Sequence, residues 1–272
     1  YLDIYARPKK QGGAWMDDCR VRRQRKDDLQ LPVAYLTCNF TPPVGEQPAL
    51  LTHDELITLF HEFGHGLHHM LTQQTVAAIS GINGVAWDAV ELPSQFLENW
   101  CWEPEALAFI SGHHETGEPL PAPMLDKMLA ARNFGSAMQM ARQLEFALCD
   151  FQLHMTWTGG NAGDVQRVLD AGREKVCVVP TPDYNRFQNG FSHIFAGGYA
   201  AGYYSYKWAE VLSADAYSRF EEEGIFNPET GASFQREVLA VGGAREAMDA
   251  FVAFRGREPD IAPLLRHSGI AA

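Results

Sequence analysis

The sequence predicts a mainly α protein with a small antiparallel β-sheet. Two observations lead to this prediction. From Thr52 onward most of the chain carries apolar residues at helical spacing, whereas β-branched and aromatic runs are concentrated in residues 1–40. In addition, 46% of the 272 residues are hydrophobic and 21% are charged, which is the balance of an ordinary globular domain with a substantial core.

Two segments near the start are predicted to be strands. Residues 1–5 alternate in polarity, and residues 31–40 are rich in β-branched and aromatic side chains until Pro42 and Pro43 end the run. Residues 33–40 would either form an exposed edge that aligns an extended peptide by strand addition or lie in the interior of the sheet. The sequence leaves both options open.

Helical patterns follow along the rest of the chain, most of them marked by a cap, a proline or a glycine. One helix is predicted to begin at the capping box of Thr52 and Glu55, and a second near Pro93. A third follows the aromatic segment at Phe191 and ends at Gly224. Further helical patterns cover residues 124–157 with a break at 133–135, 165–176, and 233–254 with a break at 242–243. Residues 112–123 and 178–190 are predicted connections, and residues 255–272 are a predicted tail.

Composition argues against two classes of partner. The formal net charge of -12 is unsuited to a nucleic-acid surface, which needs clustered Lys and Arg. No apolar run is long enough to span a bilayer, so we expect no membrane partner. The five cysteines are scattered and odd in number, which favours a reducing compartment, the cytoplasm, over a disulfide framework.

The most informative stretch is the H-E-x-x-H pattern of residues 61–65, inside a predicted amphipathic helix. His61 and His65 would lie one turn apart on the same face, where two imidazoles can bind one zinc ion. Glu62 would lie beside them as the general base for a metal-activated water. The alternative is a buried helix that carries two histidines without a metal. The capping and the amphipathic pattern favour a metallopeptidase site.

A catalytic zinc ion usually takes three protein ligands and keeps one position open. Glu91, on the next helical element, is predicted as the third ligand. Asp88, Glu98 and Glu103 lie in the same stretch and are alternatives. Glu98 is also a candidate to hydrogen-bond the free ring nitrogen of a ligand histidine.

Two further histidines, His68 and His69, follow on the same helix. A metzincin would need glycine at position 68 and histidine where the chain has Leu71, so that class is excluded. A metal group of His65, His68 and His69 stays open as an alternative, although the H-E-x-x-H geometry is simpler.

Three separated segments carry a family resemblance: residues 61–65, the sequence Val-Glu-Leu-Pro-Ser-Gln at 90–95, and the aromatic, glycine-rich segment at 191–208. In this order they resemble the thimet oligopeptidase family of zinc metallopeptidases. The resemblance covers nearly the whole chain, including residues 12–19. It implies a zincin-like, multi-helical catalytic domain with its small sheet beside the active-site helix.

The resemblance also implies roles for individual residues. His61, His65 and Glu91 would bind the zinc ion, and Glu62 would be the general base. Across the cleft, four side chains would hold the peptide and stabilise the oxyanion: His193, Tyr199, Tyr203 and Tyr206. Neutral Tyr and His side chains can donate hydrogen bonds to a developing negative charge. Packing in the core is the alternative role for each tyrosine.

We therefore expect residues 1–272 to form one catalytic zinc peptidase domain. Members of the resembled family are much longer, and the chain starts without Met, so we expect a C-terminal fragment without the helical N-terminal half. The expected function is a monomeric, cytoplasmic zinc endopeptidase that hydrolyses short oligopeptides with one Zn²⁺ per chain. A dipeptidyl carboxypeptidase and a zinc-stabilised peptide-binding module without turnover are the alternatives.

Overall fold

A computed structural model describes residues 1–270. Its main β-sheet is formed by residues near the start of the chain. The strands of the described region are β1 (Leu2–Tyr5), β2 (Trp15–Arg20), β3 (Arg23–Gln24), β4 (Leu29–Gln30) and β5 (Val33–Phe40). Strand β5 lies between β1 and β2, parallel to the first and antiparallel to the second, while β3 and β4 pair separately. The sheet is therefore mixed, whereas the sequence predicted an antiparallel one. The connection from β1 to β5 is long enough to return the chain in parallel.

Helices make up most of the remaining described chain. They are α1 (His53–Leu71), α2 (Leu92–Glu98), α3 (Pro104–Ile110), α4 (Ala122–Ala131), α5 (Ser136–Thr156), α6 (Ala162–Val176), α7 (Phe187–Gly190), α8 (Ser205–Glu223), α9 (Pro228–Phe234), α10 (Ala247–Arg255) and α11 (Ala262–His267). The mainly α prediction is confirmed. None of these helices is both long enough and apolar enough to cross a bilayer.

Strand β5 is the central strand, so of the two options for residues 33–40 the interior strand is confirmed and the exposed edge is excluded. Both of its sides form ladder hydrogen bonds, one with β1 and one with β2. Buried Leu36 and Cys38 alternate with more exposed neighbours along it. The strand packs against α1, where a Cβ on Gly66 would lie 3.3 Å from Leu36 Cδ2. An interior strand accounts for its apolar composition.

Helix boundaries agree with the sequence where a glycine sets them. Gly135, at φ 71°, precedes α5, and Gly224, at φ 115°, ends α8. The break at 242–243 is also confirmed, by a short 3₁₀ turn before α10. The helix predicted from Ser233 instead begins at Pro228 and passes through a π-helical turn over Gln235–Leu239.

Two predictions of irregular structure are wrong. Helix α7 lies within the predicted connection 178–190, and α11 lies within the predicted tail. Both helices are too short to show a clear period in the sequence, and α11 is stabilised by packing on α8. The last two residues of that tail, 271–272, lie outside the described residues.

Two hydrophobic clusters organise the described part of the molecule. The first joins α2, α8, α9 and α10 around Phe96, Phe234 and Phe251. The second joins α5 to the segment that leads into α8, around Phe191 and Tyr203. Helix α2 belongs to the first cluster, and the aromatic segment before α8 belongs to the second. The candidate site described next takes residues from α1, from the start of α2 and from this aromatic segment.

Candidate functional site

Helix α1 places the two histidines of the H-E-x-x-H pattern. The predicted capping box starts it, because the Thr52 hydroxyl accepts the Glu55 N–H at 3.2 Å and the Glu55 carboxylate accepts the Thr52 N–H at 2.8 Å. His61 and His65 lie one turn apart, with 5.0 Å between their ring centroids. The helix therefore presents both imidazoles on one face.

Glu91 immediately precedes α2 and is buried. Its Oε2 lies 3.3 Å from His61 Nε2 and 3.1 Å from His65 Nε2. One ligand atom from each of the three side chains lies within 4.8 Å of the others, and no other group of three or more His, Cys, Asp or Glu in residues 1–270 meets this criterion. The structure thus brings together the three predicted metal ligands.

Gly64 allows α2 to approach α1 closely enough for this. A Cβ at Gly64 would lie 2.5 Å from the Pro93 carbonyl oxygen and 2.6 Å from Ser94 Cα. Distances this short exclude any side chain, so the two helix backbones meet directly at this position. Glu91 is held beside the histidines by that contact.

Two hydrogen bonds orient the ligand side chains. His61 Nδ1 lies 2.6 Å from Glu98 Oε1, which is the contact expected of Glu98 from the sequence. With a proton on Nδ1, the Nε2 lone pair is directed toward Glu91 and can bind a metal. The Ser94 hydroxyl lies 3.0 Å from Glu91 Oε2 and restrains that carboxylate.

The alternative ligands lie elsewhere. Asp88 accepts a hydrogen bond from the Tyr204 hydroxyl at 2.8 Å, and Glu103 accepts one from the Tyr217 hydroxyl at 2.7 Å. Both carboxylates are therefore engaged by phenols away from the His61 and His65 pair.

The alternative cluster that includes His68 and His69 does not form in the described region. His69 Nε2 bonds to the Arg20 carbonyl oxygen at 2.7 Å. Burial lowers the pKa of His68 to about 3, so its imidazole is neutral. These two buried histidines lie in the C-terminal part of α1, and His69 links that part of the helix to β2.

The electrostatics of the three ligands favour a cation. Burial lowers the pKa of His61, but hydrogen bonds to Glu91 and Glu98 outweigh burial and raise it to about 10. Burial raises the pKa of Glu91, but hydrogen bonds to both histidines outweigh it and hold the pKa well below its usual range. A buried carboxylate is thus balanced by positive charge. Two imidazole nitrogens and a carboxylate oxygen also match a zinc donor set, so these side chains fit a metal ion.

Glu62 has the properties expected of a general base. It is 4% exposed, and burial raises the pKa of its carboxyl group. Its Oε2 accepts no hydrogen bond from any group in the described chain. A buried carboxylate oxygen without a donor costs free energy, and such groups are concentrated at functional sites.

The other wall of the site is the segment of residues 197–206, which we call the tyrosine loop and whose last two residues begin α8. The Tyr199 hydroxyl donates a hydrogen bond to Glu91 Oε1 at 2.5 Å. The Tyr206 ring stacks on the Tyr199 ring, with 4.8 Å between their centroids. Burial and the Glu91 charge raise the pKa of both phenols, so both remain hydrogen-bond donors at neutral pH.

His193 and Tyr203, the other two predicted residues of this wall, are placed differently. The His193 ring centroid lies 6.1 Å from that of Tyr199 and 6.3 Å from that of Tyr206, so the imidazole borders the tyrosine pair. Tyr203 is buried in the second hydrophobic cluster, and its hydroxyl donates to Gln143 Oε1 at 3.0 Å. Its contacts are those of a packing residue, and it is not brought to Glu91.

Trp87 is a neighbour of the site that the sequence did not reveal. Its ring centroid lies 5.0 Å from that of Tyr199. Cβ atoms on Gly198 and Gly202 would lie 3.4 Å and 3.1 Å from its indole, so the tyrosine loop packs closely on this side chain. Only the long-range fold brings the two segments together, and no local pattern marks the contact.

Comparison with known protein families finds a match over nearly the whole chain. A model of Peptidase family M3 matches residues 1–270. The chain belongs to peptidase family M3. The family membership predicted from the three separated segments is thereby confirmed.

Curated M3 peptidases match the chain over almost its entire length. It is 65% identical over 272 residues to oligopeptidase A of Escherichia coli (strain K12) and 62% identical over 271 residues to oligopeptidase A of Haemophilus influenzae. It is 37% identical over 274 residues to dipeptidyl carboxypeptidase of E. coli (strain K12). These matches cover 99% of this chain but only 39 to 40% of each relative. The chain therefore spans about two fifths of the length of these relatives.

A solved structure supports the fold. The chain superposes on the structure described as "PZ PEPTIDASE A with inhibitor 2" with a TM-score of 0.63 and 15% sequence identity, covering 98% of this chain and 42% of that one. At this identity the likeness concerns the fold alone. It agrees with the mainly helical domain predicted from the sequence.

Proposed function

We propose that this chain is the catalytic part of a zinc-dependent endopeptidase that hydrolyses short oligopeptides. One observation carries the proposal: the His61, His65 and Glu91 ligand atoms lie within 4.8 Å of one another, and Glu62 lies next to His61 in the sequence with a buried, unbonded carboxylate oxygen. Membership of peptidase family M3 gives the reaction class. The higher identity to oligopeptidase A than to dipeptidyl carboxypeptidase favours an endopeptidase.

His61, His65 and Glu91 would hold one Zn²⁺ per chain. When bound, the ion would supply a Lewis acid that makes water more acidic and polarises the scissile carbonyl group. The chain provides the rest of the site. The Glu98 contact fixes the ring orientation of His61, and the Ser94 hydroxyl restrains Glu91.

Glu62 would move the proton during hydrolysis. Its carboxylate accepts a proton from the attacking water, whose oxygen forms a bond to the carbonyl carbon. The peptide C–N bond then breaks, and Glu62 returns the proton to the departing amine. Because the carboxyl group is buried and its pKa is raised, it is a stronger base than a solvated glutamate.

Tyr206 and Tyr199 would serve the carbonyl oxygen. Both phenols are protonated at neutral pH, and a phenol can donate one hydrogen bond to the negative charge that develops there. The Tyr199 hydroxyl would have to leave Glu91 Oε1 to do so. His193, beside the pair, would contribute to holding the peptide. For Tyr203, the sequence-based role at the cleft remains a prediction, and its hydroxyl would have to leave Gln143 to fulfil it.

The proposal extends to the setting of the enzyme. Short peptides would be its partners, and a single chain would form the site, since all its proposed ligands come from one copy. The five cysteines are all free, which fits the proposed reducing cytoplasm.

Hydrolysis of an internally quenched short peptide, before and after chelation and zinc re-addition, tests this function. We expect turnover that vanishes on chelation and returns with zinc. Zinc binding without turnover would contradict hydrolysis by this chain alone and would leave a peptide-binding module or a half-enzyme that needs a further domain. A C-terminally amidated peptide separates the remaining alternative, because an endopeptidase cleaves it and a dipeptidyl carboxypeptidase requires the free carboxylate.

A further inference from the structure

A buried carboxylate on α5 holds the backbone of the tyrosine loop. Asp150 is 0% exposed. Its Oδ1 accepts the N–H of Ala201 at 2.9 Å, and its Oδ2 accepts the N–H of Tyr203 at 2.9 Å. His154 Nδ1 lies 2.8 Å from Oδ1 and completes the set of partners. Both carboxylate oxygens are thus used, and two of the three contacts are to the loop backbone.

The loop conformation requires an external partner at this point. Ala201 has φ 53°, in the left-handed region that residues other than glycine, asparagine and aspartate rarely adopt. A strained residue of this kind persists only when its surroundings hold it. Without Asp150 the amide of Tyr203 would be buried and unbonded, and the amide of the exposed residue Ala201 would lose its protein partner. The carboxylate therefore stabilises a conformation that the local sequence alone disfavours.

That conformation determines where the site tyrosines lie. Tyr199 is two residues before Ala201, and Tyr206 is three residues after Tyr203. Tyr199 reaches Glu91 with its hydroxyl, and Tyr206 stacks on Tyr199. A shift of the backbone between them would displace both phenols from Glu91.

We propose that Asp150 is a positioning residue for the tyrosine pair and acts through the backbone amides of Ala201 and Tyr203. This inference rests on the proposed function for its catalytic consequence but not for its structural part. Within residues 1–270 the Asp150 side chain bonds to Ala201, Tyr203 and His154 and to none of the proposed metal ligands, so its effect is transmitted by the loop.

Asp150→Asn is the informative substitution. The two side chains have nearly the same shape, but a carboxylate accepts hydrogen bonds at both oxygens, whereas the Asn amide nitrogen can only donate. One of the two loop amides must then face another donor. Loss of a hydrogen bond to a charged group predicts a fall in kcat of about tenfold, with KM changing less than about twofold.

Glu145→Gln is the matched control. Glu145 is a carboxylate on the same helix, 2% exposed, and it bonds to Arg142 and Arg173 with no contact to the tyrosine loop. This variant measures the general cost of neutralising a buried acid on α5. We expect its melting temperature to fall while kcat stays within about twofold of the original chain.

Hydrogen–deuterium exchange on the 272-residue chain gives a readout that does not depend on activity. In Asp150→Asn the amides of Ala201 and Tyr203 should exchange about tenfold faster than in the original chain, and in Glu145→Gln they should not. Unchanged exchange at these two amides in Asp150→Asn would overturn the proposal, whatever the activity.

A double-variant cycle tests the path through the phenol. In a Tyr199→Phe background, Asp150→Asn should lower kcat by clearly less than in the original chain, because one of the two phenols that it positions is already absent. A full, additive loss would contradict positioning through Tyr199, as would an equal kcat loss in Glu145→Gln. If the original chain binds zinc without hydrolysing peptides, the proposed function fails, and the exchange rates still decide the role of Asp150.

Discussion

His61 and His65 owe their relative placement to a single turn of α1, whereas Tyr199 and Tyr206 are placed by contacts from elements far away in the sequence. We call the side of the site formed by α1 and α2 the helical wall. On it, the four-residue spacing of His61 and His65 along the chain is enough to bring their side chains together. On the tyrosine wall, the loop depends on Asp150 of α5 and on packing against an indole.

This difference separates two ways in which the site can fail. The proposed metal ligands lie on α1 and directly before α2, two helices that pack backbone to backbone. Their geometry should therefore be rigid, and damage there should appear as lost metal or lost stability. The tyrosine loop contains residues in left-handed conformations at Gly198 and Ala201 and is held by a few hydrogen bonds. Damage there should appear in kcat first, with metal still bound.

The largest effect is expected on the helical wall, from Glu62→Gln. The amide cannot accept the proton, so kcat should fall by about a thousandfold or more, since general base catalysis contributes at that scale. Steady-state hydrolysis of a quenched peptide measures it, with metal content as the control. Turnover close to that of the original chain would remove Glu62 as the base.

On the tyrosine wall, Tyr199→Phe should lower kcat by about a hundredfold while the bound metal remains. The variant loses the hydroxyl that bonds to Glu91 and that, on leaving Glu91, can donate to the developing oxyanion. The comparison variant is Tyr203→Phe. The Tyr203 hydroxyl bonds to Gln143 and not to Glu91, so we expect a smaller loss of kcat from its removal. Equal losses in the two variants would show that the hydroxyl contact with Glu91 is not what matters.

Gly64→Ala should break the helical wall without touching a ligand. The new methyl group would meet the Pro93 carbonyl oxygen, so α2 must move, at a cost of about 1–3 kcal/mol in unfolding free energy. Metal affinity should fall because Glu91 moves with α2. Gly66→Ala is the control, since its Cβ would meet only the flexible side chains of Leu36 and Met70. Urea unfolding should show Gly64→Ala as the less stable variant, and the reverse order would contradict the close helix contact.

The smallest effect is expected from Tyr204→Phe, which removes an exposed hydrogen bond of the same loop to Asp88. An exposed hydrogen bond contributes little net stability, so kcat should change by less than about twofold. Measuring kcat for peptide hydrolysis by Tyr204→Phe and by Asp150→Asn compares an exposed and a buried hydrogen bond that hold the same loop. A large loss in Tyr204→Phe would show that the exposed support dominates.

The same contrast explains what the sequence could predict. Local spacing was sufficient for the H-E-x-x-H helix and its capping box, and the carboxylate predicted to approach it, Glu91, does so. Strand β5 was ambiguous because an apolar run fits an edge or an interior strand, and only its partners decide. Asp150 is separated by 51 residues from the amide of Ala201, and no periodic pattern marks such a pair.

Metal content of the purified chain tests the central claim most directly. Elemental analysis should find about one zinc ion per chain in the original protein and in Glu62→Gln, because a catalytic site with three protein ligands holds a single ion. Glu91→Ala removes one ligand and should lose most of the metal. A chain that binds no zinc, or a Glu91→Ala variant that binds as much as the original, would contradict the assignment of His61, His65 and Glu91 as the metal site.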